Sequence, residues 1–156
     1  MKRIVLLVLT FVAIVIADEE EQIQQIATLY EIDVETTKGC LNEAGTTLRE
    51  MQFDEETWKK IISNKKDEKT EEYIKNNGCF IACILEKKDM MKDSKLVLDK
   101  LLEGFEKQSS LGKMPSKEVI TECVNTSNKN IELTRETRAF GFIICLSRTQ
   151  ETASKI

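Results

Sequence analysis

The chain has 156 residues, enough for one domain, and 41% of them are hydrophobic. Its formal net charge of −4 argues against nucleic acid as a partner, because phosphates require a basic surface. The sequence contains no histidine, which excludes Ser-His-Asp and Cys-His nucleophilic sites and most zinc hydrolase sites. We therefore predict that the protein is not an enzyme and uses neither a cofactor nor a metal ion.

The first 17 residues have the pattern of a secretory signal peptide. Lys2 and Arg3 precede an apolar run from Ile4 to Ile16, and Ala17 lies just before an acidic segment. A membrane anchor is the alternative, but the run is shorter than the roughly 20 apolar residues that cross a bilayer. We expect a secreted, extracellular domain over residues 18–156, without stable membrane insertion. Without residues 1–17 its formal charge would be −6.

The remaining chain predicts six helical segments, because helix formers dominate and one proline and six glycines leave few breaks. In chain order we expect helices over Glu20–Ile32, with a possible restart at Val34–Leu41, from Asp54 onward, over Thr70–Lys87, over Ser94–Lys107, from Pro115 onward, and over Thr134–Arg148. The segments Asn64–Lys69 and Gln108–Met114 are predicted connections, and Thr149–Ile156 is a predicted solvated tail.

Local signals support three of these helices. Asp54 is a good N-cap, and Phe53 and Trp58 flank it at the positions of a hydrophobic staple. Pro115 suits the first position of a helix, where its missing N–H costs nothing. The segment Ala139–Leu146 is apolar nearly all round, which predicts that the last helix lies in the middle of the core.

Five cysteines follow the leader, and in a secreted protein they are expected to pair. They are Cys40, Cys79, Cys83, Cys123 and Cys145. Their number alone does not fix the pairing. Cys79 and Cys83 are four residues apart on one predicted helix and therefore face the same way. We expect them to join that helix to two other elements and not to each other.

The cysteine spacing resembles that of insect odorant-binding proteins. The segment Asn77–Lys87, Asn-Gly-Cys-Phe-Ile-Ala-Cys-Ile-Leu-Glu-Lys, is similar to their central signature of two cysteines with three residues between them. Cys40 lies upstream, Cys123 follows after 39 further residues, and Cys145 lies in the last predicted helix. The local match is most similar to the ant pheromone-binding group. The resemblance implies an all-α fold, a compact bundle of about six helices around an internal apolar cavity, braced by disulfides.

The family pattern has six cysteines that pair first with third, second with fifth, and fourth with sixth. Carried over, this pattern implies two bridges, Cys40–Cys83 and Cys123–Cys145. The position of the fifth cysteine is occupied by Glu136, which leaves Cys79 without its usual partner. Cys79 then has three possible fates: a buried free thiol, an intermolecular disulfide that gives a homodimer, or exchange with a neighbouring bridge.

The resemblance also implies a function, the extracellular transport of a small hydrophobic ligand such as an odorant, a pheromone or a lipid. Twelve inward-facing residues are candidates for lining its cavity, although each of them taken alone is better explained by simple core packing: Trp58, Ile62, Tyr73, Ile74, Phe80, Ile84, Leu98, Leu101, Val119, Phe140, Phe142 and Ile143. Tyr30 and Tyr73 are candidates for orienting a polar group of the ligand.

Two other functions remain open at this point. A secreted helical signalling or venom-type protein, acting by protein–protein binding, would share the leader, the acidity and the disulfides. It would have a dense core and an exposed apolar patch, whereas a carrier would have an enclosed void. An enzyme that uses carboxylates alone would need two acids that face each other across a cleft.

Overall fold

The computed structural model describes residues 19–52, 55–65, 67–107 and 114–153, with side chains up to residue 149. Within these ranges the chain forms seven helices and one two-stranded antiparallel hairpin, so the predicted all-α fold is confirmed. The helices are α1 (Glu19–Tyr30), α2 (Val34–Ala44), α3 (Glu55–Ile62), α4 (Glu68–Lys87), α5 (Leu98–Lys107), α6 (Lys117–Lys129) and α7 (Arg135–Ala153), and the strands are β1 (Met91–Lys92) and β2 (Lys95–Leu96). None of the described helices is long and apolar enough to cross a bilayer.

Short polar side chains fix where the helices begin and end. The Asp33 carboxylate accepts the Thr36 backbone N–H at 2.6 Å and caps α2, which ends at Gly45 in the left-handed region with φ of 62°. At the start of α4, Asp67 accepts the Thr70 N–H at 2.8 Å and its own N–H donates to the Thr70 hydroxyl at 2.9 Å. Because of this reciprocal pair, α4 begins at Glu68 and not at the predicted Thr70.

Three further predicted boundaries were wrong. The helix predicted from Ser94 begins at Leu98, because Asp93 and Ser94 have φ of 48° and 60° and form the turn of the hairpin. Pro115 lies outside α6, because Ser116 is the N-cap and its side chain accepts the Val119 N–H. The last helix continues to Ala153, so the segment predicted as a solvated tail is helical at its start.

The first predicted helix is divided in two at Glu31, which has φ of 52°, and the predicted restart at Val34 is the start of α2. The predicted N-cap Asp54, the predicted staple residue Phe53 and residues 1–17 lie outside the described residues.

The bundle is built on the antiparallel pair of long helices α4 and α7. Gly78 lets them approach closely, since a Cβ there would lie on the carbonyl oxygen of Glu136 and 2.8 Å from its carbonyl carbon. Helices α2 and α3 pack against α4, and α1 packs on α2. Helix α6 packs against α7, α5 packs on α6, and the hairpin contacts α4, α6 and α7.

The buried apolar side chains form three clusters. The first cluster lies among α4, the hairpin, α5, α6 and α7 and includes Leu101, Ile120 and Phe142. The second cluster lies among α1, α2, the segment after α2, and α4, and includes Leu41, Phe80 and Ile84. The third, which we call the aromatic cluster, consists of Trp58, Ile61, Tyr73, Ile74, Ile81, Phe140 and Ile144. Helix α7 supplies side chains to both the first and the aromatic cluster, which explains its all-round apolar centre.

Candidate ligand-binding site

The aromatic cluster lies between the short helix α3 and the central pair α4 and α7. The rings of Tyr73 and Phe140 meet edge to face, with their centroids 6.2 Å apart and an interplanar angle of 80°. Phe140 is buried, whereas Trp58 and Tyr73 are only half-buried. The cluster therefore forms an apolar surface that begins in the core and reaches the outside of the bundle.

Hydrogen bonds fix Tyr73 in this position. Its hydroxyl donates to the backbone carbonyl of Met51 at 2.9 Å, and the Asn77 side chain donates to the Tyr73 carbonyl at 3.0 Å. The Tyr73 ring thus joins the aromatic cluster to the segment that follows α2. Tyr30, the other candidate for orienting a ligand, packs at the edge of the second cluster, where burial raises the pKa of its hydroxyl.

Helix α3 is the shortest of the described helices, with eight residues. The Arg148 side chain donates to the Ile62 carbonyl at 2.8 Å, and Lys60 pairs with Asp67 across 3.2 Å at the surface. An exposed pair of this kind contributes at most about 1 kcal/mol. The main apolar anchor of α3 is Ile61, with Trp58 beside it.

Eleven of the twelve predicted lining residues are distributed over the three buried clusters. Four lie in the aromatic cluster, two in the second cluster and five in the first, whereas Ile62 belongs to none of them. The four in the aromatic cluster are Trp58, Tyr73, Ile74 and Phe140. The two in the second cluster are Phe80 and Ile84. The five in the first cluster are Leu98, Leu101, Val119, Phe142 and Ile143. The aromatic cluster also contains Ile61, Ile81 and Ile144, which are not among the twelve predicted residues. Helical spacing could have found Ile144, which lies four residues after Phe140 on the same face of α7.

None of the twelve residues borders either of two clefts that open on the described surface. The first, which we call the lysine cleft, has a volume of about 210 Å³ and is lined by Glu31, Lys88, Met90, Lys100, Glu103, Gly104 and Lys107. The second, of about 390 Å³, is more open and lies beside a disulfide, with Glu35, Thr36, Gly39, Cys40, Glu43, Cys83 and Lys87 around it.

Two disulfides hold the helices around these features. Cys40 joins Cys83 and links α2 to α4, with 5.5 Å between the Cα atoms. Cys123 joins Cys145 and links α6 to α7, with 5.7 Å between the Cα atoms. These are the two pairs that the resemblance implies. The expectation that Cys79 also joins α4 to another element is wrong, since Cys79 is a free thiol in this structure.

An ion network occupies the place where the family pattern has its third bridge. Arg135 pairs with Glu43 of α2, with Glu86 of α4 at 2.6 Å and with its neighbour Glu136 at 2.8 Å, and its guanidinium lies 3.6 Å from the Cys79 sulfur. Burial raises the pKa of the Cys79 thiol, and the charge of Arg135 offsets this only in part. Burial alone would also raise the pKa of Glu136, but hydrogen bonds from Arg135 and the backbone outweigh it and hold that pKa below its usual value.

Comparison with known proteins agrees with this arrangement of helices and bridges. A model of the PBP/GOBP family matches residues 31–149, which include α2 to α6, most of α7 and all five cysteines. The chain belongs to the PBP/GOBP family. No curated protein and no solved structure gives a significant match. PBP/GOBP proteins are small carriers of odorants and pheromones, a binding family and not an enzymatic one, and this confirms the resemblance found in the sequence.

Proposed function

We propose that this PBP/GOBP protein is a secreted carrier that binds a small, largely apolar ligand at the aromatic cluster. The observation that carries the proposal is the position of this cluster. It lies against the pair α4 and α7 and is covered by α3, a helix of eight residues that contains no cysteine. Outward movement of α3 would open an apolar space without disturbing either disulfide.

The driving force would be the burial of apolar surface. A ligand that buries about 200 Å² of apolar area gains about 5 kcal/mol from this source. The rings of Trp58 and Phe140 offer faces for an alkyl or aromatic group. The Tyr73 hydroxyl, which bonds to Met51, lies at the edge of the cluster, and we assign it the orientation of a single polar group.

The test uses Trp58, the single tryptophan of the chain, as a built-in reporter. We expect aliphatic alcohols and esters of medium chain length to change Trp58 emission saturably and to displace an apolar fluorescent probe at micromolar protein. Saturable probe binding without any change in Trp58 emission would place the ligand elsewhere. No probe binding at all would remove the carrier function.

A matched pair of variants separates the aromatic cluster from the rest of the core. Phe140 and Phe142 are both buried in α7, but Phe140 belongs to the aromatic cluster and Phe142 to the first cluster. Phe140→Leu should change probe affinity severalfold, whereas Phe142→Leu should change it less than twofold. Equal effects, or a larger effect of Phe142→Leu, would contradict the proposed site.

The protein-binding alternative has less support. Among the described residues, Ile131 is the one large hydrophobic side chain that is fully exposed, at 83%. A single exposed side chain is normal for a soluble protein and does not form a docking patch.

Secretion and the state of Cys79 are parts of the same proposal. Two disulfides suit an oxidising compartment. Expression in insect cells should therefore release a chain that begins near Asp18, and retention inside the cell would contradict this. Cys79 is half-buried and its pKa is raised, which favours an unpaired thiol in a monomer. A dimer band on a non-reducing gel that disappears in Cys79→Ser would instead establish the intermolecular bridge.

A further inference from the structure

The lysine cleft lies where the ends of α1 and α4 meet α5. Glu31 follows α1, Lys88 and Met90 follow α4, and α5 contributes Lys100, Glu103, Gly104 and Lys107. The cleft shares no residue with the aromatic cluster, so a ligand here would occupy a different site from the one proposed above.

The cleft carries an excess of positive charge on a protein that is acidic overall. Three lysines face two glutamates, whereas the whole chain has a net charge of −4. Lys100 and Lys107 share the single carboxylate of Glu103, at 3.4 and 2.8 Å. Lys88 reaches Glu31 only at 3.5 Å. One ammonium charge in the cleft therefore lacks a full counter-charge.

Lys88 is the least solvated of these ammonium groups. Its side chain is 20% exposed, and its Nζ donates to the backbone carbonyl of Tyr30 at 2.6 Å. A carbonyl and a distant carboxylate compensate a partly buried cation poorly. An anion that entered the cleft would bond to Lys88 and lower this electrostatic cost.

The cleft contains one apolar side chain, Met90. Met90 is half-buried and packs against the first cluster. Gly104 leaves room for it, since a Cβ at that position would overlap the terminal methyl of Met90. The volume of about 210 Å³ equals that of about seven water molecules and lies below the range of drug-sized pockets. The occupant must therefore be small.

We propose that the lysine cleft is a second binding site and that it takes a short-chain carboxylic acid as its anion. The carboxylate lies between the ammonium groups of Lys88 and Lys107, and the carbon chain lies over Met90. The site combines an excess of ammonium groups with one apolar side chain, Met90, and this combination selects an acid over the corresponding alcohol.

The experiment compares hexanoate with hexanol, which has the same chain length and an uncharged head, by isothermal titration calorimetry on the mature chain. Hexanoate should bind more tightly than hexanol to the wild-type protein, and its affinity should fall as the salt concentration is raised. Lys107→Gln should weaken hexanoate binding at least fivefold and leave hexanol binding unchanged. Lys95→Gln, which removes an exposed lysine outside the cleft, is the matched control and should have little effect.

Three outcomes would overturn the second site. Hexanoate shows no measurable binding at millimolar concentration, or it binds no better than hexanol. Lys95→Gln weakens hexanoate as much as Lys107→Gln, so that only the general field of the protein acts. Phe140→Leu removes hexanoate binding while Lys107→Gln does not, so that the acid enters the aromatic cluster; in that case the proposed carrier site stands and the second site fails.

Discussion

Replacing Gly78 with alanine tests the close approach of the two central helices. In a helix interior, alanine is favoured over glycine by about 0.5–1 kcal/mol. At Gly78, however, the new methyl group would overlap the backbone carbonyl of Glu136, which cannot rotate away as a side chain can. Overpacking of this kind costs about 1–3 kcal/mol. We expect a net loss of about 1–2 kcal/mol in the free energy of unfolding.

The chain supplies two matched controls for this substitution. Gly39 in α2 and Gly141 in α7 are also helical, and a Cβ at either position would meet no atom within 4 Å. Gly39→Ala and Gly141→Ala should therefore stabilise the protein by about 0.5–1 kcal/mol. Urea unfolding followed by Trp58 fluorescence measures all three variants. For a chain of this size, Gly78→Ala should lower the melting temperature by about 2–8 °C.

The sign of the stability change in Gly78→Ala tests whether the backbones of α4 and α7 are in contact at this point. If Gly78→Ala raised stability as much as the two control substitutions, helices α4 and α7 would not be in backbone contact at this point. The account of the fold as a bundle built on that pair would then be wrong.

Three further predictions concern polar groups of the fold. Glu136→Cys should form a third bridge with Cys79, which a thiol assay would detect as the loss of the free thiol. This bridge should stabilise the protein by about 4 kcal/mol on the chain-entropy model, whereas Glu136→Ser should form no bridge and give no such stabilisation. Arg138 is 2% exposed and donates to the carbonyls of three residues, so Arg138→Met should cost about 3 kcal/mol in urea unfolding, while the exposed Arg49→Met should cost little. Hydrogen bonds from Thr70 lower the pKa of Asp67 from 3.8 to about 2; its stabilising effect is therefore present above pH 4 and lost as the pH falls toward 2, and in Asp67→Asn this part of the pH dependence of unfolding should disappear.

Helical periodicity was enough to predict the fold class but not the boundaries set by turns. The hairpin has strands of only two residues, which are too short to show an alternating pattern. Its turn residues, Asp93 and Ser94, are not glycines although their φ values are positive, so the usual turn signal is absent. The pairing of the bridges came from the family resemblance, because five cysteines alone leave many pairings open.

The candidate site was predicted only in part, and α7 shows why. Apolar character indicates that a side chain is buried, but not which cluster it joins. Phe140 and Phe142 are two positions apart, which is about 200° around a helix, so they point to opposite sides of α7. Each joins a different cluster. Sorting such residues requires the directions in which neighbouring helices pack, and these depend on contacts far apart in the sequence.

The placement of the disulfides is compatible with the proposed entry and release of a ligand by movement of α3. The bridges fix α2 to α4 and α6 to α7, each with about 3–4 kcal/mol on the chain-entropy model, whereas α3 contains no cysteine. Exposing Ile61 and part of Trp58 by moving α3 would cost about 3–5 kcal/mol. An apolar ligand that buries about 200 Å² returns about the same amount. If α3 opens as proposed, a ligand must bury well over 200 Å² of apolar area to bind at micromolar concentration, because a dissociation constant of 1 μM corresponds to about 8 kcal/mol. The cost of opening α3 then favours release of the ligand while the frame of the bundle stays in place.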